Sequence, residues 1–261
     1  MRVEKKGNRI YFKSETLELE NGVKHGFTAK CGGVSNGNVE GLNLGFRCGD
    51  DKEAVIKNYK LVAEDLGMPF ERITAARQTH SVNIRTITGE DVGKGVFRES
   101  DITETDGLIT NLSQIPLVVF YADCVPILLA DSEAGVVAAV HSGWRGTVGK
   151  IAENAIKIMC EKFGAERERI KAAIGPSIGP CCFETNRDVS DFFEDSFKEP
   201  FGEKYKVNLW KACKKTLTDC GVLERNIDVF GLCTVCRNDI LYSYRSHKDK
   251  TGRMGAFIML D

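Results

Sequence analysis

The sequence predicts a mixed α/β fold: a single-domain sandwich of mixed β-sheet layered with helices. Three observations predict it. Segments 116–121, 125–130 and 135–141 (PLVVFY, VPILLA, GVVAAV) are almost continuous apolar runs, the pattern of strands buried on both faces. Strand patterns outnumber helix patterns and do not alternate strictly with them, which argues against a doubly wound parallel sheet. No Pro/Ser-rich linker, internal repeat or low-complexity tract divides the 261 residues. A chain of that length can bury a core without disulfides, so 1–261 reads as one domain.

The elements follow in order. Residues 9–13 and 23–29 read as strands. Residues 51–66 read as a helix, with Asp50 or Asp51 as N-cap, a stripe of Val55, Tyr59, Val62 and Leu66, and Gly67 as the stop. Short strands are expected near 72–77, 82–87 and 107–110, ahead of the three apolar runs. Residues 147–163 carry the clearest helical stripe, from Val148 through Ile151, Ala152, Ala155, Ile156 and Met159 to Phe163. Thr147 can cap it and Gly164 can end it. A strand at 169–174, helices near 186–197 and 208–220, and strands near 226–230, 239–245 and 255–260 complete the reading.

Composition excludes several classes. Bases number 36 and acids 37, for a net charge of −1, whereas a protein gripping long nucleic acid shows a basic excess. The longest apolar stretch, 115–130, contains Asp123, Pro116 and Pro126 and is too short and broken to span a bilayer. The start, MRVEKK, has no hydrophobic segment behind it, so no secretory signal is expected. Ten cysteines in such a chain fit reduced thiols in the cytoplasm better than a disulfide scaffold. Most of them read as small buried hydrophobes.

The common nucleotide and zinc-protease motifs are absent: there is no P-loop, no G-x-G-x-x-G turn and no H-E-x-x-H helix. Gly175-Pro-Ser177-Ile-Gly179 matches G-x-S-x-G but runs into Pro180, Cys181 and Cys182. A nucleophile elbow leads straight into a helix, so this segment reads as a Gly/Pro turn leaving a strand. Cys233-Thr-Val-Cys236 is a single CxxC after a strand. With no second pair it is a poor zinc site, its place after a strand and not at a helix start argues against a redox role, and it reads as buried or incidental thiols.

The residues that can carry chemistry sit where strands end. There are four histidines, at 25, 80, 141 and 247. His80 in RQTHS and His141 in AVHSGWRG end strand-like runs and enter small, polar turns, and Cys124 in YADCVP breaks two buried strands. Strand ends facing turns are where a rigid scaffold presents side chains to a ligand. His80, Cys124 and His141 can therefore converge, although spacings of 44 and 17 residues are not those of a local metal finger.

The strings RQTHS, TDGLITN, FYADCVPILLAD and AVHSGWRGT resemble the YfiH/YlmD family, which includes the human laccase-domain protein. Its members are also called multicopper polyphenol oxidases, purine nucleoside phosphorylases or peptidoglycan editing factors. CGGVSNGNVEGLNLG and GDDKEAVIKNY upstream, and AIGPSIGPCCFE, VNLW, GLCT, SYRSH and TGRMGAFIML downstream, extend the likeness over most of the chain. Lys30 and Tyr59 depart from it, at positions where the family often carries Arg. The resemblance implies a YfiH-like fold, similar to that of certain cysteine-hydrolase toxins. It also implies a zinc ion held by His80, Cys124 and His141. Three protein ligands leave a fourth position open, the catalytic arrangement of zinc.

Family members are associated with phosphorolysis of adenosine, inosine and methylthioadenosine, and with adenosine deamination. The expected partners are thus a nucleoside and phosphate, not nucleic acid or membrane. Ser81 and Ser142 are candidates to orient the ligands. Asp123 is a candidate proton shuttle if the chain turns beside Cys124. Asp106 is the other, but an Asp before Gly reads first as a turn residue. Arginine forks suit phosphate. Arg145, at the start of the helix expected from 147, and Arg245 and Arg253 in the basic C-terminal stretch are the candidates. Asn43 and Gln78 are candidate sugar or base contacts. Two His and one Cys also form the blue-copper set, but a multicopper oxidase needs further imidazoles and this chain has two others, so a laccase reading is disfavoured. The competing activities are a hydrolase that edits peptidoglycan precursors, metal-assisted or with Cys124 as nucleophile, and a non-catalytic metal- or partner-binding module.

Overall fold

A computed structural model describes residues 2–261. In chain order the strands are β1 (Arg2–Lys6), β2 (Arg9–Lys13), β3 (Val23–Thr28), β4 (Thr74–Ala75), β5 (Ile84–Thr86), β6 (Gly107–Thr110), β7 (Leu117–Tyr121), β8 (Val125–Asp131), β9 (Val136–Ser142), β10 (Lys171–Ile174), β11 (Glu184–Thr185), β12 (Lys198–Phe201), β13 (Lys204–Val207), β14 (Ile227–Val229) and β15 (Met254–Leu260). The helices are α1 (Glu15–Glu18), α2 (Lys52–Leu66), α3 (Trp144–Val148), α4 (Ile151–Phe163), α5 (Arg187–Ser190), α6 (Leu209–Asp219) and α7 (Tyr244–His247).

Two six-stranded mixed sheets, ordered β1-β2-β3-β15-β7-β4 and β14-β10-β8-β9-β6-β5, form the sandwich, and β11-β13-β12 make a small third sheet. Alternation along the strands explains the layering. Leu117, Val119, Ala256 and Ile258 from the first sheet pack against Leu128, Ala130, Val137 and Ala139 from the second. The intervening residues point outward. Val118, Phe257 and Met259 meet Val55, Tyr59 and Val62 of α2, while Ile127, Leu129, Ala138 and Val140 meet α4 and α6. Each central strand is thus buried on both faces, which is why its sequence is an unbroken apolar run. Burying one such Leu or Ile side chain is worth about 1.5–3 kcal/mol.

Helix α2 begins and ends as expected: the Asp51 side chain accepts from the Glu53 N–H, and Gly67 closes the helix at φ +63°. Three expectations change. The helix expected over 147–163 is two helices, because Lys150 takes φ +56° and Gly149 lies so close to Val82 that a Cβ there would meet its Cγ1 at 2.5 Å. Thr147 lies inside α3, not at a cap. The helix expected over 186–197 is the single turn α5 followed by a 3₁₀ turn. Lys198 Nζ takes the Ser190 carbonyl, and Phe193 and Phe197 turn into the core. Residues 239–245 are a turn leading into α7 rather than a strand: the Leu241 N–H returns to Arg237 O and Ser243 caps α7 through Ser246 N. Strand β1 and the β12–β13 hairpin carried no recognised signal.

His25 gives the fold a pH dependence. It is 2% exposed, and its Nε2 accepts the Ser14 N–H at 2.9 Å, which requires the neutral ring. Burial, then the nearby Lys13 ammonium, hold its pKa down at about 3 against an ordinary 6.5. As pH falls the unfolded chain takes up this proton first. The His25 contribution is complete above about pH 6.5 and is lost toward about pH 3, at up to roughly 1.4 kcal/mol per pH unit. His25→Gln keeps an acceptor without a titrating ring. Urea midpoints compared at pH 7 and pH 5 should fall more for the wild type than for this variant; equal falls would refute the assignment.

Candidate metal centre

Sheet register brings the predicted ligands to one end of the sandwich. In the second sheet Val125 pairs with Ser142 and Pro126 with His141, so the start of β8 lies beside the end of β9. Gly107 pairs with Val140, and Ile84 with Gly107, so β6 and β5 also start there. Cys124 precedes β8, His141 lies in the last turn-ward step of β9, Asp106 precedes β6, and the His80 loop feeds β5. Residues 122–124 and 76–83 are also the segments by which the chain passes from the first sheet to the second. The two crossings are tight: His80 stands at φ +62° and Asp123 at φ +91°, left-handed conformations that cost non-glycine residues about 1–3 kcal/mol each.

One ligand atom from each of His80, Cys124 and His141 lies within 4.8 Å of the others. The two imidazole rings are 5.1 Å apart between centroids and inclined at 71°. Asp106 organises them. It is fully buried, and its carboxylate accepts from His141 Nδ1–H at 2.8 Å, from the N–H groups of Thr79 at 3.1 Å, His80 at 3.0 Å and Ser81 at 2.7 Å, and from Ser81 Oγ at 2.7 Å. Its carbonyl accepts the His141 N–H. Asp106 is therefore not a turn residue: it fixes the His141 tautomer, leaving Nε2 free, and shapes the loop that holds His80. A carboxylate behind a histidine in this way is the usual support of a metal-ligating imidazole.

The electrostatics suit a thiolate. Burial alone would raise the Asp106 pKa, but His141, Ser81 and Thr79 hold it at about 2. Burial would likewise raise the Cys124 thiol, and His141 and His80 bring it below its ordinary value. His141 is pushed down by burial and up by Cys124 and Asp106, and the upward influences win. Gly143 completes the cradle, since a Cβ there would meet His80 Cδ2 at 2.8 Å and Cys124 Sγ at 3.2 Å. Two nitrogens and one sulfur, backed by a carboxylate and crowded on one side by backbone, fit a metal ion with an open side.

The other expected residues divide. Asp123 does stand at a turn, but its carboxylate is engaged, with Thr234 Oγ1 on Oδ1 and the Arg245 N–H on Oδ2, both at 2.5 Å. Gln78 brackets the Phe120 backbone, Nε2 to O at 2.8 Å and Oε1 from N at 2.6 Å, and so pins the His80 loop to β7. Asn43 is fully buried and spends its amide on Gly45, Asp50 and the Arg253 N–H. Arg245 donates to the carbonyls of Cys182 and Glu184, and Arg253 to those of Thr251 and Gly252. Arg145 is exposed, its guanidinium 4.3 Å from the Trp144 ring centre, in the one-turn α3 rather than at the start of a long helix. Ser81 supports the ligands through Asp106, whereas Ser142 pairs with Thr147. Lys30 is tied to Asn238 O, and Tyr59 is buried and donates to Leu44 O.

Ser177 is fully buried and accepts the Trp210 indole N–H at 2.6 Å, consistent with a turn and not a nucleophile. The CxxC reading changes. Cys181 and Cys236 are exposed, and together with Cys182 and Cys233 they form a second compact sulfur cluster. The vicinal pair 181–182 is the partner that the CxxC lacks in sequence.

Fold and site define a class: two face-to-face sheets flanked by helices, with a three-ligand candidate metal site where chain crossings meet at one end. The chain belongs to the family described as multi-copper polyphenol oxidoreductase laccase, whose model matches residues 24–261. It is 35% identical over 246 residues to purine nucleoside phosphorylase YlmD of Geobacillus stearothermophilus, covering 91% of this chain and 90% of that protein. It is also 35% identical over 257 residues to adenosine deaminase RL5 from an unknown prokaryotic organism, covering 92% and 95%. The crystal structure of Bacillus licheniformis hypothetical protein YfiH superposes with a TM-score of 0.92 at 32% identity, covering 99% of both chains. Despite the family's multi-copper description, only two imidazoles share a centre among the described residues. His25 is in the core, and His247 lies on the exposed α7. Also among the described residues, no helix is long and apolar enough to cross a membrane.

Proposed function

We propose that His80, Cys124 and His141 hold zinc, and that the chain is a purine nucleoside phosphorylase acting on adenosine, inosine and methylthioadenosine, with adenosine deamination as a second activity. The observation that carries this reading is the convergence of the three donor atoms within 4.8 Å around a His141 whose Nδ1 is already committed to Asp106. Two imidazoles and a thiolate are borderline-soft donors of the kind zinc takes, with a fourth position left for substrate or water. When bound there, zinc supplies a Lewis acid and an acidified water. The names of the relatives supply the substrate class.

The chain's own groups do the rest. Asp106 keeps His141 Nε2 aimed at the centre, and Gln78 fixes the His80 loop. Asp123, held by Thr234 and Arg245, sets the turn that aims Cys124 and acts as a positioning residue. Arg145, whose guanidinium no carboxylate pairs among the described residues, is the phosphate contact in this reading. In phosphorolysis a phosphate oxygen bonds to the ribose carbon as the bond from that carbon to the purine breaks, and the purine leaves with a proton. Ten cysteines without a disulfide support a reducing compartment such as the cytoplasm as part of this reading.

One observation favours a second reading. Cys124, His141 and Asp106 form a thiol–imidazole–carboxylate series, which is also the layout of a cysteine hydrolase. His80 on the other side of the sulfur is what a nucleophile does not need and a metal does. The test is one preparation of the full chain, with metals counted by mass spectrometry and adenosine supplied with and without phosphate. Free adenine formed only with phosphate, and inosine formed without it, support the proposal. Neither product from a zinc-loaded chain would overturn it. Turnover that survives a chelator and dies on thiol alkylation would assign the hydrolase.

A further inference from the structure

We propose that Cys181, Cys182, Cys233 and Cys236 form a second, closed metal site, a tetrathiolate that takes zinc as a structural ion and braces the turn carrying Cys124. The four sulfurs lie within 4.8 Å of one another. Cys236 Sγ is 3.6 Å from Cys181 Sγ and 3.5 Å from Cys182 Sγ. A tetrahedron with zinc–sulfur bonds of about 2.3 Å has sulfur–sulfur edges of about 3.8 Å, whereas a disulfide needs about 2.05 Å. The cluster therefore has the spacing of a metal cage and not of two disulfides.

Topology builds it. Strands β10 and β14 pair in parallel, Ala172 with Ile227 through Ile174 with Val229. Both chains run on side by side past the strand ends, and Ser177 bridges to Cys233. The Ser177 N–H reaches Leu232 O, and the Thr234 N–H reaches Ser177 O. The first loop then tightens, with the N–H groups of Cys182 and Phe183 both on Gly179 O. That presents the vicinal pair opposite the CxxC. Glycine at 179 makes room for this approach, because a Cβ would lie 2.8 Å from Trp210 Cη2, 3.1 Å from Cys233 Cβ and 3.2 Å from Cys181 Sγ.

Cys233 already has the surroundings of a bound thiolate. The Gly179 N–H donates to its Sγ at 3.2 Å, and the backbone N–H groups of Val235 and Cys236 also reach it. Amides converging on one sulfur spread the negative charge that a metal–thiolate unit carries. Cys181 and Cys236 are exposed, which gives an ion a way in. On loading, four thiols exchange their protons for one divalent cation, and the protons leave to solvent.

The purpose follows from what the loops hold. Thr234, inside the CxxC, donates Oγ1 to Asp123 Oδ1 at 2.5 Å, and the Ile178 N–H donates to Asp123 O at 2.8 Å. Asp123 is the left-handed residue directly before Cys124. A cation clamping 181–182 to 233–236 fixes both donors, and with them the aim of the Cys124 sulfur at the first centre.

The test counts zinc per full-length chain in three proteins purified under reducing conditions. With both centres loaded, the wild type carries two zinc ions, Cys233→Ser/Cys236→Ser carries one, and His80→Asn carries one. A double-serine variant that still carries two ions overturns the proposal. So does a wild type whose single ion is lost in His80→Asn. A single ion lost with the two cysteines but kept in His80→Asn upholds the second site while refuting zinc at the first. X-ray absorption at the zinc edge of His80→Asn needs no cysteine variant to fold. Four sulfurs at about 2.3 Å are expected, and a mixed nitrogen–sulfur shell overturns the assignment. The bracing role predicts that losing the second site weakens zinc binding at the first by about 10- to 100-fold, the usual cost of lost outer support; unchanged affinity would remove that role.

Discussion

His80→Asn is expected to lower adenosine phosphorolysis about 1,000-fold and to release the metal from the first centre, with the thermal midpoint little changed. The size follows from Lewis-acid stabilisation worth several kcal/mol, about 4 kcal/mol being roughly three powers of ten in rate. The site permits so clean a test because His80 is exposed and its side chain supports no part of the core. Asparagine is the replacement of choice because His80 stands at φ +62°, and Asn tolerates the left-handed region better than alanine does. The same change distinguishes the two chemistries. A Cys124 nucleophile with His141 as its base would keep most of its turnover without His80. A metal centre reduced to His141 and Cys124 would not. Full activity with the zinc lost would refute the metal-dependent mechanism.

Asp106→Asn is expected to weaken metal binding about 10- to 100-fold and to lower activity with it. The volume is nearly unchanged, but an amide nitrogen now competes for the places of two acceptor oxygens. Those oxygens serve three backbone N–H groups, Ser81 Oγ and His141 Nδ1. At least one buried donor loses its partner, and His141 loses the charge that fixes its tautomer. Asp106→Ala should also destabilise the fold by roughly 3–5 kcal/mol, the range for breaking a buried pair. Titrating each variant with zinc and measuring its urea midpoint separates the two effects. A purely structural Asp106 would move stability and leave zinc affinity where it was.

The central sandwich was legible because burial on both faces leaves a strong trace in sequence. PLVVFY, VPILLA and GVVAAV became β7, β8 and β9, all within the two-sheet core. Helix α2 was legible from its Asp51 cap and Gly67 stop. Helix α3–α4 was read as one because the apolar stripe crosses the break: periodicity records which face is buried and not whether the axis is continuous. α5 and α7 were misread for a related reason. Phe193, Phe197, Leu241 and Tyr242 are buried as members of irregular segments, and burial alone does not distinguish a turn from a helix or strand.

For the site, residue type and position at strand ends marked His80, Cys124 and His141, and the family resemblance assigned them to one metal. Asp106 looked like any Asp before Gly, since its five acceptor contacts come from residues 25 to 35 positions away. The polar candidates Asn43, Gln78 and Asp123 each bond at least one group far along the chain, the Arg253 N–H, the Phe120 backbone, and Thr234 Oγ1 with the Arg245 N–H, so the sequence marked their importance without marking their work. The cysteine pairs stand 51 residues apart between Cys182 and Cys233, and neither pair alone resembles a tetrahedral site.

By itself the sequence determined which segments must be buried, where α2 starts and stops, and which three side chains have the chemistry to share an ion. Tertiary structure alone decided that they meet. Antiparallel β8–β9 and β6–β9 and parallel β5–β6 place four strand ends together, and parallel β10–β14 sets two cysteine pairs face to face. The reason is physical. Burial and capping depend on neighbours along the chain and are written locally, whereas a donor set depends on strand register, which is fixed only when the whole sheet closes.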